Sequence, residues 1–421
     1  DHPRLGDRTV STQVLGPAGG PAPDGLFGRA RTRPAITAGW LGVLAGGLAL
    51  FVVLPPLTVR SLVPTILLGI AGLLAAGVAL RGGERKLGVA AVLSVLLGVG
   101  LGYGASRTAV GGLEAAVSWG SLGAATLRFA CPLTFAALGG LVSERAGVVN
   151  IALEGMMLMG AFFAALGADQ TGSWFLGLLI GILAGAVLAA VHAVFAIHVG
   201  ADQIVSGTAL NFVALGLTGY LYVDRYGADG TPNDLPQVPG VTLPTESLGF
   251  LGETFHQLNL LVWLSLIFVG LVWLLVFRTR AGLRLRSVGE NPRAAETVGI
   301  SVYRTRYVAV IASGALAAMG GAFLSIGFNH SFTPNMSAGQ GFIALAALIF
   351  GRWRPGGLLA ATLLFGFSSA LAQRLPQLTP GAESVATLLQ ALPYVLTLVA
   401  VAGVIGRSVP PAADGVPYRR E

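Results

Sequence analysis

Twelve apolar stretches, most near the length that carries an α-helix across a bilayer, follow one another along this chain, most of them separated by short polar or Pro/Gly-bearing turns. A hydrocarbon core about 30 Å thick takes roughly 20 apolar residues per helix, and backbone groups left open to lipid are too costly for most other structures. The stretches fall near 36–54, 62–80, 87–104, 120–141, 148–167, 174–198, 204–223, 259–277, 307–327, 339–350, 356–373 and 388–406. They predict an all-α polytopic membrane protein. Composition agrees, since 54% of the residues are apolar and 11% charged, against about 25% charged in a soluble domain.

The net charge of +7 would suit a polyanionic partner if the basic residues were clustered for one. Threading the stretches alternately through a membrane, with the amino terminus in the cytoplasm, puts 21 of the 26 Lys and Arg inside. Arg60, Arg107, Arg225 and Arg374 fall outside and Arg128 within a stretch. This is the positive-inside bias, so both termini are expected in the cytoplasm and no nucleic acid is implied. The first apolar run is long enough to stay in the membrane, so no cleavable leader is expected. Residues 1–34, rich in Pro, Gly and Arg, read as a disordered tail.

Chemistry for catalysis is missing from the pattern. Lys86, in GGERKLG, is the only lysine, so no phosphate-cradling Walker loop exists. Cys131 is the only cysteine, and His192 and His198 lie six apart without a third ligand, which leaves no disulfide and no metal spacing. The expectation is therefore no cofactor on this chain and no enzymatic site. Uphill transport would draw on an ion gradient or on another subunit.

Polar residues inside or at the edges of apolar stretches are the candidates for a solute path. They are Asn150, Glu154, Asn211, Asn329 and Gln340, with Met157 as part of a polarizable patch beside Glu154 and Arg128 as a residue that snorkels or pairs with a carboxylate. Asn150 equally suits an N-cap whose first turn Glu154 stabilises through the helix dipole, and Asn211 equally suits an interhelical hydrogen bond.

Two loops exceed connector length, on opposite faces. Residues 224–257 are external, acidic and carry Pro232, Pro236, Pro239 and Pro244, which favours an extended lid and a docking surface. Residues 278–306 are internal and basic; Asn291 as N-cap, Pro292 at the first helical position and Gly299 after the end predict a short helix over 292–298. A weak repeat relates FAALGG at 135–140 to LAAMGG at 316–321, and Ile-Ala-Leu at 151–153 to 343–345, in opposite directions across the membrane. Inverted repeats of this kind place a substrate path near their pseudo-two-fold axis.

Four blocks, SERAGVVNIALEGMMLMGAF (143–162), QIVSGTALNFVALGLTGYL (203–221), VGENPRAAETVGI (288–300) and GQGFIALAALIFGRWRPGG (339–357), resemble in order the permease subunits of ABC importers for nucleosides and simple sugars, a branch related to ribose and branched-chain amino acid permeases. The resemblance spans about 110–407 and is nearest to nucleoside importer permeases. It implies a type II importer fold of ten core helices with inverted repeats, plus two added amino-terminal helices. Four regions follow: a tail at 1–34, an extension with the first core helix at 35–105, a permease core at 106–407 and a cytoplasmic tail at 408–421.

The resemblance also makes 292–298 a coupling helix, with Glu290, Asn291, Arg293, Glu296 and Gly299 contacting an ATPase subunit that carries the ATP and magnesium. It implies a second, related permease chain, an external binding lipoprotein or periplasmic protein, and a bacterial cytoplasmic membrane. Simple sugars or branched-chain amino acids are the alternative solutes, and an ion-coupled secondary transporter the alternative mechanism.

Overall fold

The computed structural model describes residues 33–53, 63–107, 119–227, 229–232, 234–245, 249–378 and 409–419 of the chain. The expected segment at 388–406 and nearly all of the tail at 1–34 lie outside the described residues. Contacts divide the chain into two units, 1–109 and 110–421.

The first unit holds α1 (Arg33–Val53), α2 (Val63–Arg81) and α3 (Arg85–Arg107). Small residues let the three backbones approach closely: a Cβ on Gly42 would lie 2.8 Å from Ala91 Cβ and 3.1 Å from the Gly72 carbonyl. Ser94 Oγ donates to the Val43 carbonyl at 2.9 Å, spending its hydroxyl inside an apolar bundle.

The second unit begins with α4 (Trp119–Arg145), α5 (Leu153–Thr171), α6 (Trp174–Ala193, continued by a π-helical turn to Val199) and α7 (Gln203–Tyr226). A short hairpin of β1 (Gly240–Thr242) and β2 (Gln257–Asn259) encloses α8 (Gly249–His256). Then follow α9 (Leu260–Arg278), α10 (Arg280–Glu290), α11 (Pro292–Thr297), α12 (Val302–Ala322, continued by a π-helical turn to Asn329), α13 (Gln340–Phe350) and α14 (Pro355–Leu378). Among the described residues, seven helices are long and apolar enough to cross a membrane. All but one of the twelve expected stretches coincide with helices, and the remaining one is the undescribed 388–406.

Burial separates centre from periphery. The spanning part of α12 is 83% buried and that of α4 78%, whereas α7 is only 22% buried and turns Phe212, Tyr220 and Val205 outward. The central pair gives the weak sequence repeat a spatial counterpart. A Cβ on Gly139 would lie 2.5 Å from the Ser313 carbonyl, and one on Gly320 would lie 2.7 Å from the Pro132 carbonyl. The repeat aligns Gly139 with Gly320 and Pro132 with Ser313, so α4 and α12 touch reciprocally, as an antiparallel pair related by a two-fold axis must. The neighbouring glycines reach into the opposite half: Gly321 abuts the Met157 carbonyl of α5, and a Cβ on Gly140 would stand 3.3 Å from Leu348 of α13.

One expectation is corrected here. The stretch 339–350 forms a helix of 11 residues, which at 1.5 Å per residue reaches about 16 Å, near half the hydrocarbon thickness. Its apolar composition resembles a span, but it is a half-helix fed by the irregular segment 330–339.

The loop 224–257 contacts the end of α12. Val238 N donates to the Ile326 carbonyl at 3.1 Å and Phe332 N to Thr231 Oγ1 at 3.1 Å. Asn259 caps α9 through Leu261 N at 2.9 Å, and its amide donates to the carbonyls of Gly327 and Val238. The proline-bearing part is extended as expected, while the lid also contains the eight-residue α8, which follows the last of those prolines.

Candidate functional site

The turn between α4 and α5 carries seven residues, 146–152; the N–H groups of Ala146, Gly147 and Val148 return to the Ser143 and Glu144 carbonyls at the end of α4, and the Ala152 carbonyl accepts from Met156 N, which leaves the middle of the turn without helical partners. Side chains from three helices supply partners instead. Ser143 Oγ donates to the Val148 carbonyl at 2.7 Å, Val149 N donates to Gln203 Oε1 at 2.8 Å, and His192 Nε2 lies 3.1 Å from the Val149 carbonyl. Where water is excluded, each such group would otherwise cost a kcal/mol or more, about 1–3 kcal/mol apiece.

The expected cap at Asn150 is built differently. The N-cap residue of α5 is Ala152, which has no side chain to offer. Asn150 Oδ1 accepts from Ala152 N at 3.1 Å and its amide donates to Ser313 Oγ at 2.9 Å, tying the turn to α12. The next turn of α5 is capped from α7: Gly155 N donates to Asn211 Oδ1 at 2.8 Å, and Asn211 Nδ2 donates to the Ile151 carbonyl at 2.9 Å.

Glu154 serves a helix other than its own. Its Oε1 accepts from Ser337 Oγ at 2.6 Å and Gly339 N at 2.8 Å, and its Oε2 accepts from Gly341 N at 2.6 Å. The carboxylate thus sits at the amino-terminal end of α13, where orphan N–H groups and the positive end of the dipole favour a negative charge. Gly339, at φ 85°, supplies a left-handed N-cap there, and Gly341 brings its backbone against Glu154, because a Cβ would lie 2.5 Å from Glu154 N. A half-helix start that would be unsatisfied in lipid is completed by one side chain from 187 residues upstream.

Beside this joint lies a cleft of about 200 Å³ lined by Glu154, Leu158, Thr208, Asn211, Phe212, Asn335 and Phe342, among others. The sequence candidates Glu154 and Asn211 meet in it, and Gln340 adjoins its Gly339 wall. Asn150 and Met157 are fully buried behind it, and Asn329 is exposed at the far end of α12. Asn335, Thr208, Phe212 and Phe342 were not singled out by sequence; the one available signal for Asn335 was its place in the NMSAGQG run, where it adopts φ 58°. At the opposite end, Arg128 Nη2 donates to the Gln257 carbonyl at 3.1 Å and shares a second cleft with Arg374 and Glu253.

The second cluster of candidates lies on the face that also holds the 146–148 turn. Asn291 Oδ1 caps α11 through Ala294 N at 3.0 Å, and Gly299, at φ 81°, donates to the Glu296 carbonyl at 2.8 Å, so the expected helix forms with its expected start and stop. It ends at Thr297, one residue short of the expected bound. Arg293 is exposed, while Glu290 and Glu296 are engaged by the carboxyl-terminal segment 409–419: Ala412 N donates to Glu290 Oε2 at 3.3 Å and Tyr418 OH donates to Glu296 Oε2.

A half-helix beginning inside a helical bundle, a broken-helix turn held by side chains, and a capped helix projecting on one face define a membrane permease. The chain matches the family described as branched-chain amino acid transport system / permease component over residues 123–401, and it belongs to that family. It is 42% identical over 308 residues, 70% of this chain and 95% of the relative, to the guanosine ABC transporter permease protein NupQ of Bacillus subtilis. It is 40% identical over 300 residues, 69% of this chain and 94% of the relative, to the nucleoside ABC transporter permease protein NupC of Lactococcus lactis subsp. cremoris. The putative glucose ABC transporter permease protein TsgC13 of Haloferax volcanii is 38% identical over 255 residues, 59% of this chain and 76% of the relative. No solved structure matches the chain. The protein is accordingly a multi-pass membrane permease component of an ABC transporter, with ATP hydrolysis carried by a separate subunit and with ATPase and binding-protein partners.

Proposed function

We propose that this chain is the permease subunit of an ATP-driven importer that moves nucleosides, or similar small neutral polar solutes, into the cytoplasm by alternating access. The observation that carries the reading is identity of about 40% to two nucleoside-type permeases over nearly their whole length. The chemistry of the cleft agrees with it. Both oxygens of Glu154 accept hydrogen bonds and the Thr208 hydroxyl donates to the Ile204 carbonyl at 2.8 Å, so the groups best placed to meet a solute are the Asn335 amide and the rings of Phe212 and Phe342.

On this reading the core is a type II importer fold of ten helices, with α1 and α2 as an amino-terminal addition and both termini cytoplasmic. Glu290, Asn291, Arg293, Glu296 and Gly299 present α11 to the ATPase. The exposed face of α7 and the cleft beside it border the path shared with a second, related permease, and the lid 224–257 receives the external binding protein. The glucose permease relative favours simple sugars as the second reading.

The test is uptake into proteoliposomes carrying both permeases, the ATPase and the binding protein. ATP-dependent accumulation of nucleosides, undiminished by excess hexose, is the expected result. Accumulation of hexose alone would select the sugar reading, and uptake driven by an ion gradient without ATP would overturn both.

A further inference from the structure

The helix α11 has six residues, too few to hold its shape or direction alone, and Ala295 is its only buried side chain. Its anchorage comes from a small apolar cluster of Val288, Ala295, Val302 and Tyr418. Three of these belong to α10, α11 and α12. The bulkiest, Tyr418, belongs to the carboxyl-terminal segment.

That segment is fixed along its length. Ala413 N donates to the Gly289 carbonyl at 2.9 Å, next to the Ala412–Glu290 bond, so the segment crosses the joint between α10 and α11. The turn from Ala413 to Val416 closes with Gly415 at φ 74°, a left-handed conformation that suits glycine. The Tyr418 ring then packs edge-on against Tyr303 of α12, 5.7 Å between centroids, and its hydroxyl reaches Glu296.

Beneath lies Arg306, the bulkiest fully buried side chain among the described residues, at 1% exposure. Its Nη1 donates to the Val416 carbonyl at 3.1 Å, and the carboxylate of Asp414 attracts it. A guanidinium buried this far is costly unless a partner is supplied, and the segment supplies it. The same segment abuts the turn before α5: a Cβ on Gly147 would lie 3.0 Å from the Ala413 carbonyl.

We propose that residues 409–419 brace the coupling helix, with Arg306, Asp414 and Tyr418 as positioning residues that set the angle of α11 and join it to the α4–α5 turn. Force delivered to α11 then passes through the brace to the turn that leads into Glu154 and the cleft. The inference rests on α11 being the contact with the ATPase.

The experiment compares Tyr418→Phe, which keeps the ring and removes the bond to Glu296, with a chain truncated before Val409, both in the assembled transporter. Hydrogen exchange in 291–298 is expected to quicken about tenfold in Tyr418→Phe, the worth of one hydrogen bond to a charged group, and more in the truncation. Solute moved per ATP hydrolysed is expected to fall in both while the ATPase subunit still copurifies. Unchanged exchange in 291–298 would overturn the brace. Faster exchange with an unchanged solute-to-ATP ratio would reduce it to packing and overturn the positioning role. Crosslinking from Arg293→Cys to the ATPase subunit tests the underlying contact separately: if no crosslink forms, the coupling reading fails, and the exchange result still decides the brace.

Discussion

Two carboxylates, Glu154 and Asp414, sit at the ends of the same machine and are treated in opposite ways. Glu154 receives a hydroxyl and two backbone N–H groups within 2.8 Å. Asp414 keeps a buried oxygen without a partner, and Arg306 beside it keeps Nε and Nη2 unmatched. A fully paired buried charge makes a fixed joint, because every alternative arrangement loses bonds. A partly paired one leaves neighbouring arrangements at similar free energy. The half-helix start is accordingly a rigid fixture, and the seat under α11 is where the structure is able to shift.

The largest effect expected from this contrast is at the rigid joint. Glu154→Leu strands the Ser337 hydroxyl and the N–H groups of Gly339 and Gly341, a loss of about 3 kcal/mol or more that should show as failed assembly or a collapse of the melting temperature in detergent. Glu154→Gln keeps one oxygen but turns an NH₂ toward an N–H donor, and should sit between Leu and the parent in the same assay. If Gln melts with the parent, the carboxylate is not the fixture described.

Gly341→Ala comes next, since its Cβ would meet Glu154 backbone. A destabilisation of about 1–3 kcal/mol is expected by thermal unfolding, without loss of the Asn211 bonds to α5.

At the yielding end the effect is smaller and depends on pH. Burial pushes the Asp414 carboxyl up to about 7, against the opposing pull of Arg306. The groups facing it are Arg306 and Glu144, with Tyr303 and Tyr418 around Arg306. A carboxyl whose seated pKa is raised favours the seat when protonated. The seat is therefore strongest below the ordinary carboxylate range and weakens as pH rises through the range in which Asp414, coupled to Glu144, loses its proton. Hydrogen exchange of 409–419, normalised to intrinsic rates, should follow that window, and Asp414→Asn should flatten it.

The smallest effect on stability, within about 0.5 kcal/mol, is expected for Asn335→Gly, which keeps the left-handed backbone and removes an exposed amide. Its readout is uptake: a raised KM for solute with unchanged melting would place the amide in the path, and an unchanged KM would remove Asn335 from it.

Much of this was legible in the sequence because it depends on local rules. Apolar length marks the spanning helices, and Asn291, Pro292 and Gly299 write the start and stop of α11 within nine residues. The half-helix α13 was not legible, since an apolar run looks alike whether it crosses the bilayer or stops inside it. Glu154 could be recognised as an intramembrane carboxylate, but not its partners, which lie more than 180 residues away in sequence. The carboxyl-terminal segment carries no hydrophobic period. Its order comes from Arg306 and the α10–α11 joint, so it read as a tail.

The reciprocal crossing of α4 and α12 has a consequence for how this protein tolerates change. The nearest atom in both contacts is backbone, which cannot repack as a side chain can, so each half of the chain presents a glycine without room for a side chain to the matching point of the other. A saturation scan scored by abundance should therefore show two troughs of similar depth centred on Gly139 and Gly320, read in opposite senses along the chain. Any residue larger than glycine at one should be rescued by nothing at the other.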